Sequence, residues 1–350
     1  MLAAETKAAQ DPPPAAVGGN LSHAWKSIVE PMGPFLQQVS SRLSEQVHAF
    51  EPQIATFAAE ALQSQGKQLR PVLVGLSGRA LGELTDAHIT VAVIIEMVHL
   101  ATLVHDDVLD EAQVRRGQPT LAAHWGNDIS VLVGDCLFAH ALKLAASFPT
   151  TDVCRAVAAS TNTVCAGEIL QTRQRRNFHF TQQEYFKVVG MKTGELFALS
   201  CDLGAYLGRA TSPQRDALRA YGMALGTAYQ VYDDCVDLFA SEAQARKSLG
   251  TDLAKGKLTL PVLLLLERLE PQERKKVQEW IEHWQPERLH KLLHLMARHQ
   301  ALPDSQTAIR QRLQEAKQHL RLLPPSTSRQ GLEGLADLLE QQAAALQNSD

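Results

Sequence analysis

The residues with the clearest chemical potential are two groups of carboxylates. Asp106, Asp107 and Asp110 occur in HDDVLDE, and Asp233, Asp234 and Asp237 recur in QVYDDCVDLF, 127 positions later. Residues i and i+4 of a helix share a face. Asp106 and Asp110 therefore lie about one turn apart, as do Asp233 and Asp237. Oxygen ligands at that spacing suit a hard cation such as magnesium. A single Asp-Asp-x-x-Asp reads equally well as a solvated acidic helix end. Two copies, each on an apolar helix, argue against that, because burying unpaired charge is costly.

Carboxylates and magnesium together imply a phosphorylated ligand, which also needs cationic donors. Three short segments offer them: GKQLRP with Lys67 and Arg70, RRG with Arg115 and Arg116, and the stretch from Lys247 to Lys257. The second and third follow the carboxylate groups closely, as loops folding over them would. No strand leads into G-x-x-x-x-G-K-[ST], so this is not a P-loop.

The elements that must position these groups are helices. The pattern predicts them over 34–64, 70–81, 85–113, 128–147, 151–173, 183–189, 194–206, 212–241, 259–268, 271–283, 286–298, 303–321 and 328–347. No alternating strand pattern or Asn-Gly hairpin is apparent. From Ile89 to Val104 the only polar residues are Thr90, Glu96, His99 and Thr102. A helix that apolar is central and buried. Glu96, His99, Thr102, Asp106 and Asp110 fall within one arc of it, a polar stripe running to the carboxylates. Gly222, Gly226, Gln230, Asp233 and Asp237 share a face of the second carboxylate helix. Its glycines cost about 0.8–1 kcal/mol each relative to Ala, which is tolerable where something must pass close to the backbone.

Composition fits one all-α domain over residues 21–350, after a mobile Pro- and Gly-containing lead-in over 1–20. Hydrophobic residues make up 45% and aromatics 5%, so the core must rest on Leu, Ala, Val and Ile. The formal net charge of −4 argues against nucleic acid as the main partner. Five cysteines without a C-x-x-C pair read as reduced thiols. There is no secretory signal and no run of about 18 uninterrupted apolar residues, so no membrane span is expected. The expected location is the cytoplasm. Loose contact with a membrane surface for product release stays compatible with this.

In combination, GKQLRP, HLATLVHDDVLDEAQVRRG, GEILQ, KTGELF, YQVYDDCVDL and GTDLAKGKLTLP resemble the polyprenyl synthetase family of trans-isoprenyl diphosphate synthases. The resemblance spans about Lys67 to Pro261. It implies an isoprenoid synthase-type bundle of long antiparallel helices around a central cavity, usually as a homodimer. It implies that isopentenyl diphosphate is joined to an allylic diphosphate. Lys67, Arg70, His99 and Arg116 would bind the isopentenyl diphosphate. Arg115, Lys192, Thr193, Gln230 and Lys257 would contact the allylic diphosphate. Asp106, Asp107 and Asp110 would hold two magnesium ions, and Asp233 with its motif a third. The implied catalytic set is these four carboxylates with Asp234, Asp237, Arg115, Lys192 and Lys257. Asp237 and Gln171 would act through water or a neighbour, and Lys247 would also touch phosphate. Gln68 and Gln65 depart from the family pattern, where Arg and Gly are common.

The growing tail should run down the first carboxylate helix towards its N-terminus. Thr102 lies about 6 Å below Asp106, and Ile95 about 16 Å below. Ala101 and Thr102 are small, where short-chain relatives often place an aromatic floor. The expected product is therefore long, of octaprenyl or nonaprenyl type, with Phe138 as a candidate deeper floor. A geranylgeranyl or medium-chain synthase is the alternative. A class I terpene cyclase would mix Asn, Ser or Thr with Glu in its second motif. A regulatory subunit would tend to lose one motif.

Overall fold

The computed structural model describes residues 19–63, 66–241 and 249–347. Lys247, Gln65 and residues 1–18 of the expected lead-in lie outside the described residues. Gly19 and Asn20, assigned to the lead-in from sequence, instead open helix α1 (Gly19–Val29). Its Trp25, Ile28 and Val29 pack on the main core.

The helix expected over 34–64 is two helices, α2 (Gly33–Glu45) and α3 (Pro52–Gln63). Pro52 is the physical reason. A proline disfavours helical backbone in the residue before it and cannot donate an amide hydrogen. The restricted residue is Glu51, and Phe50 just before it is already extended, with ψ 155. Helix α4 spans Leu69–Arg79 and α5 spans Asp86–Leu109. Helix α5 stops four residues short of expectation because Glu111 takes a positive φ of 50, the left-handed turn that commonly ends helices.

A short antiparallel hairpin follows, β1 (Val114–Arg115) and β2 (Gln118–Pro119), paired Val114 to Pro119 and Arg115 to Gln118. The sequence reading missed it. Its turn is Arg116-Gly117, both at positive φ (52 and 77), the backbone that two-residue hairpin turns require. The RRG motif is thus a β-turn that aims its two arginines separately.

The remaining frame is α6 (Leu121–Trp125), α7 (Asn127–Ala146), α8 (Asp152–Arg173), α9 (Gln182–Val189), α10 (Glu195–Leu207) and α11 (Ser212–Phe239). After it come α12 (Thr251–Ala254), α13 (Leu260–Arg268), α14 (Pro271–Glu282), α15 (Leu289–Arg298), α16 (Ala301–His319) and α17 (Thr327–Ala344). Local signals account for several starts. At α9, the Thr181 hydroxyl accepts from the Glu184 amide (3.2 Å) while the Glu184 carboxylate accepts from the Thr181 amide (2.9 Å), a reciprocal cap.

Helix α5 packs against α7 and α4, α10 against α4 and α11, and α11 against α16. Val91, Ile94, Ile95, Met97 and Val98 of α5 are fully buried, and each such side chain contributes about 1.5–3 kcal/mol. The glycines of α11 serve close packing. A Cβ on Gly222 would stand 2.5 Å from the Phe197 carbonyl oxygen, and one on Gly226 would stand 2.9 Å from the Gly194 Cα. Helix α10 and the turn before it are what pass so near.

Two helices, α5 and α7, are long and apolar enough to cross a membrane by length and composition. The sequence reading did not identify them because Glu96, His99 and the threonines interrupt the run without lowering its average much. Helix α5 spends its apolar surface on the core. Helix α7 leaves Val131, Leu132 and Leu142 exposed.

Candidate active site

The polar stripe of α5 ends at Asp106, and Asp110 caps the helix with its amide on the Asp106 carbonyl (2.8 Å). All three carboxylates of this motif are held by cations from other segments. Arg115 Nε lies 2.9 and 3.0 Å from the two oxygens of buried Asp107, and Nη2 adds a 2.8 Å contact. This fork-on-fork pairing anchors Arg115 and ties both Asp107 oxygens to one guanidinium. Asp106 stands 3.5 Å from Lys192 Nζ, which also pairs with Glu168 and donates to Gln171 Oε1 (3.0 Å). Asp110 receives Arg175 Nη2 on one oxygen (2.9 Å), and Lys257 (2.8 Å) and Lys255 (3.1 Å) on the other.

Lys192 and Thr193 come from a π-helical turn, Gly190–Gly194, that joins α9 to α10. The two helices expected to be separate are therefore continuous through one wide turn, a feature often found at functional sites. Gly167 of α8 makes room for it: a Cβ there would lie 2.7 Å from the Lys192 amide nitrogen. The same turn reaches the second motif. Thr193 Oγ1 donates to Gln230 Oε1 (2.8 Å), and Gln230 Nε2 donates to Asp234 Oδ1 (2.8 Å). One turn thus connects both carboxylate motifs.

Within the second motif the three carboxylates have different tasks. Asp233 is exposed. Asp234 is buried and accepts from the Tyr185 hydroxyl (2.6 Å). Asp237 is fully buried and accepts from the Thr251 hydroxyl (2.6 Å) and the Asp252 amide (3.1 Å). Both of its oxygens fasten the segment that carries Lys255 and Lys257, so Asp237 is a positioning residue rather than a reacting one.

A second group of cations gathers beside His99. Arg70, Arg116 and Arg115 all act on its charge, and burial with these cations holds its pKa well below the ordinary value. Arg70 lies over the Phe197 ring at 5.1 Å. The Arg116 guanidinium abuts Gly66, where a Cβ would meet Nη2 at 2.4 Å. Lys67 is exposed and lies over the Trp25 ring at 5.9 Å. Gln68 takes a left-handed backbone (φ 52) and bonds Ser40 Oγ (2.8 Å), which fits its departure from a cationic residue. Glu96 sits buried among these arginines, and burial raises its pKa.

Of the proposed chain-length residues, Thr102 is half-buried and bonds the His99 carbonyl (2.6 Å). Ala101 is fully buried in the core. The Phe138 ring packs 5.6 Å from that of His105. Gly134, one turn earlier on α7, lets His105 approach closely. Sequence reasoning also missed Glu168, Arg175 and Tyr185 as site neighbours, while Lys255 falls in the basic stretch it had singled out after the second motif. Glu168 lies in the GEILQ motif and was within reach of motif reading; Arg175 carried no signal beyond charge.

Burial raises the Asp106 carboxyl to about 6 against the pull of Lys192, and Glu168 adds to the rise. Burial also pushes Asp110 up, but Lys257 and Lys255 overcome it and bring that carboxyl down to about 2. Asp234 is raised to about 8 by burial and by Asp252, with the Tyr185 and Gln230 donors offsetting part of the rise. An acid with a raised folded pKa costs stability as pH climbs from its unfolded value to its folded one. In EDTA, stability should therefore fall through this group between about pH 4 and pH 8. Asp234→Asn should flatten that decline in a series of thermal melts. An unchanged slope would show that Asp234 is ionised throughout.

The donor set fits a divalent cation. Among the described residues no three carboxylate, histidine or cysteine side chains form a closed metal cage. Asp106 instead faces Lys192, Asp110 faces Arg175, Lys255 and Lys257, and Asp233 is exposed on α11. Magnesium is commonly bound through one or two carboxylates with substrate phosphates completing the shell.

Carboxylates for a hard cation, guanidinium and ammonium groups for an anion, and an apolar helix behind them define a metal-assisted transferase acting on diphosphates. Comparison with known proteins agrees. The Polyprenyl synthetase family model matches residues 51–296. The octaprenyl diphosphate synthase of Haemophilus influenzae is 33% identical over 306 residues, 87% of this chain and 93% of that one. That of Escherichia coli is 32% identical, covering 87% and 94%. A decaprenyl diphosphate synthase from Rhodobacter capsulatus superposes with a TM-score of 0.86 at 31% identity, covering 91% of this chain and 99% of that one. A polyprenyl synthase from Caulobacter crescentus, complexed with calcium and isoprenyl diphosphate, gives 0.85 at 29% identity, covering 93% and 98%. The chain belongs to the polyprenyl synthetase family and is a prenyltransferase. Enzymes of this family use divalent metal ions, with isopentenyl and allylic diphosphates as substrates.

Proposed function

We propose that the protein condenses isopentenyl diphosphate with an allylic diphosphate to make a long all-trans polyprenyl diphosphate, of octaprenyl or nonaprenyl type, suited to a quinone side chain. The observation that carries the length is α5 itself. None of its 24 residues, including all those that precede Asp106, is Phe, Tyr or Trp, so no aromatic ring on it would stop a growing tail.

Two to three magnesium ions, held by Asp106, Asp110 and Asp233, would supply positive charge for the departing pyrophosphate. Arg115, fixed by Asp107, and Lys192 and Lys257 hold the allylic diphosphate and stabilise charge as its carbon–oxygen bond breaks. Lys67, Arg70, His99 and Arg116 orient isopentenyl diphosphate so that its double bond attacks the allylic cation. The proton then lost passes to the released pyrophosphate. The apolar wall of α5 excludes water, which would otherwise quench the cation. We further propose a single helical domain from residue 19, located in the cytoplasm and paired with a second copy. The exposed Val131, Leu132 and Leu142 of α7 and Ile169 of α8 supply apolar surface for that pairing.

Purified protein with magnesium, labelled isopentenyl diphosphate and farnesyl diphosphate should yield a ladder ending at octaprenyl or longer. No elongation from any allylic primer would sink this reading. Thr102→Phe should shorten the product by several isoprene units, because it places a ring about 6 Å below Asp106. An unchanged ladder would show that the tail takes another path.

A further inference from the structure

One carboxylate of the site is surrounded by more positive charge than it can neutralise. Asp110 accepts from Arg175, Lys255 and Lys257 together, and Lys257 finds Asp252 only at 3.8 Å. Arg175 reaches Asp110 through Nη2 alone. Its Nε is buried without a hydrogen-bond partner, a donor left over on the guanidinium that touches Asp110. The loop that carries it is pinned. The Arg176 amide bonds the Gly256 carbonyl at 2.7 Å, with Arg176 and Gly256 both at positive φ (56 and 72). A non-glycine residue holds such a backbone only where its surroundings over-determine it. The segment after α8 is therefore clasped to the segment after α12, and Arg175 and Lys255 reach the two different oxygens of Asp110.

We propose that Arg175, with Lys255 beside it, is a further diphosphate-binding residue that exchanges partners. It holds Asp110 before metal arrives, then turns its Nη and Nε donors to diphosphate oxygens when Asp110 turns to the cation. The planar guanidinium suits this, since it offers parallel donors to phosphate as readily as to carboxylate. The exchange keeps Asp110 charged and shielded in the empty site. It also makes Arg175 a competitor of the metal and an ally of the diphosphate. This inference rests on the transferase reading but is tested apart from turnover.

The experiment is calorimetry on the full chain. Inorganic pyrophosphate is titrated into wild type, Arg175→Ala and Arg175→Lys in excess magnesium. Magnesium alone is then titrated into each without pyrophosphate. Arg175→Ala should bind pyrophosphate about tenfold more weakly, with Arg175→Lys between it and wild type. Its affinity for magnesium alone should be unchanged or higher, because a rival for Asp110 is gone. Arg173→Ala, at the exposed last residue of α8, should match wild type in both titrations. Equal pyrophosphate affinity in wild type and Arg175→Ala, or no binding by either, overturns the proposal. Weaker binding of magnesium alone by Arg175→Ala overturns it too, since that is what a merely structural support of Asp110 would produce. A wild type that binds pyrophosphate in this pattern yet elongates no primer would sink the transferase reading and leave the partner exchange standing.

Discussion

Asp106→Ala should lower turnover by roughly 10³-fold while the fold persists. The carboxylate ends the polar stripe of α5 and faces Lys192, so it is placed to share a cation with the diphosphate. Its contribution to folding has the opposite sign. Burial holds its pKa at about 6, above the unfolded value, so ionised Asp106 is a net cost to the metal-free fold at neutral pH. Removing it leaves Lys192 paired with Glu168 and bonded to Gln171. The Tm in EDTA at pH 7.5 should therefore hold or rise. Steady-state kinetics and melts on one preparation check both halves. Near-normal turnover would remove Asp106 from the chemistry, and a collapsed Tm would make it structural.

Much of this site was legible from spacing alone. The i, i+4 carboxylates, the apolar helix beneath them and the basic loops after each motif are local features, and the structure brings them together through Lys192, Lys257 and Arg115. Gly222 and Gly226 were readable as close-approach positions before their neighbour, α10, was known. What escaped the sequence depends on long-range placement or unusual backbone. The π-turn at Gly190–Gly194 has no composition of its own, and the Arg116-Gly117 hairpin is too short for an alternating pattern. Pro52 was readable as a break and was passed over. Asp237 shares a face with Asp233, yet Thr251 and the Asp252 amide claim its oxygens, which no periodicity announces. The close approach of His105 to Gly134 and Phe138 likewise joins two helices and carries no local signal. Arg175 lies 65 positions from Asp110, and only the clasp between two loops joins them.

The second large effect is expected at Lys192, where function and stability should fall together. Its ammonium group stands among Asp106, Glu168 and Gln171, and burial lowers its pKa less than Asp106 and Glu168 raise it. Lys192→Ala removes a donor to the allylic diphosphate and should reduce kcat/KM by about 10²–10³-fold. It also leaves two largely buried carboxylates side by side without their shared cation. Stripping one partner from a buried pair costs about 3–5 kcal/mol. These groups keep some solvent contact, so roughly 1–3 kcal/mol is expected here. The metal-free protein should melt earlier, and magnesium with pyrophosphate should restore part of the loss by returning positive charge to the same place. Lys192→Arg keeps the charge but not the compact ammonium group, and the tight passage of Gly167 against the Lys192 backbone leaves the turn little room to adjust. It should recover the Tm more fully than the rate. Full turnover in Lys192→Ala would take the π-turn out of the active site. Lost turnover with an unchanged Tm would confine Lys192 to substrate binding.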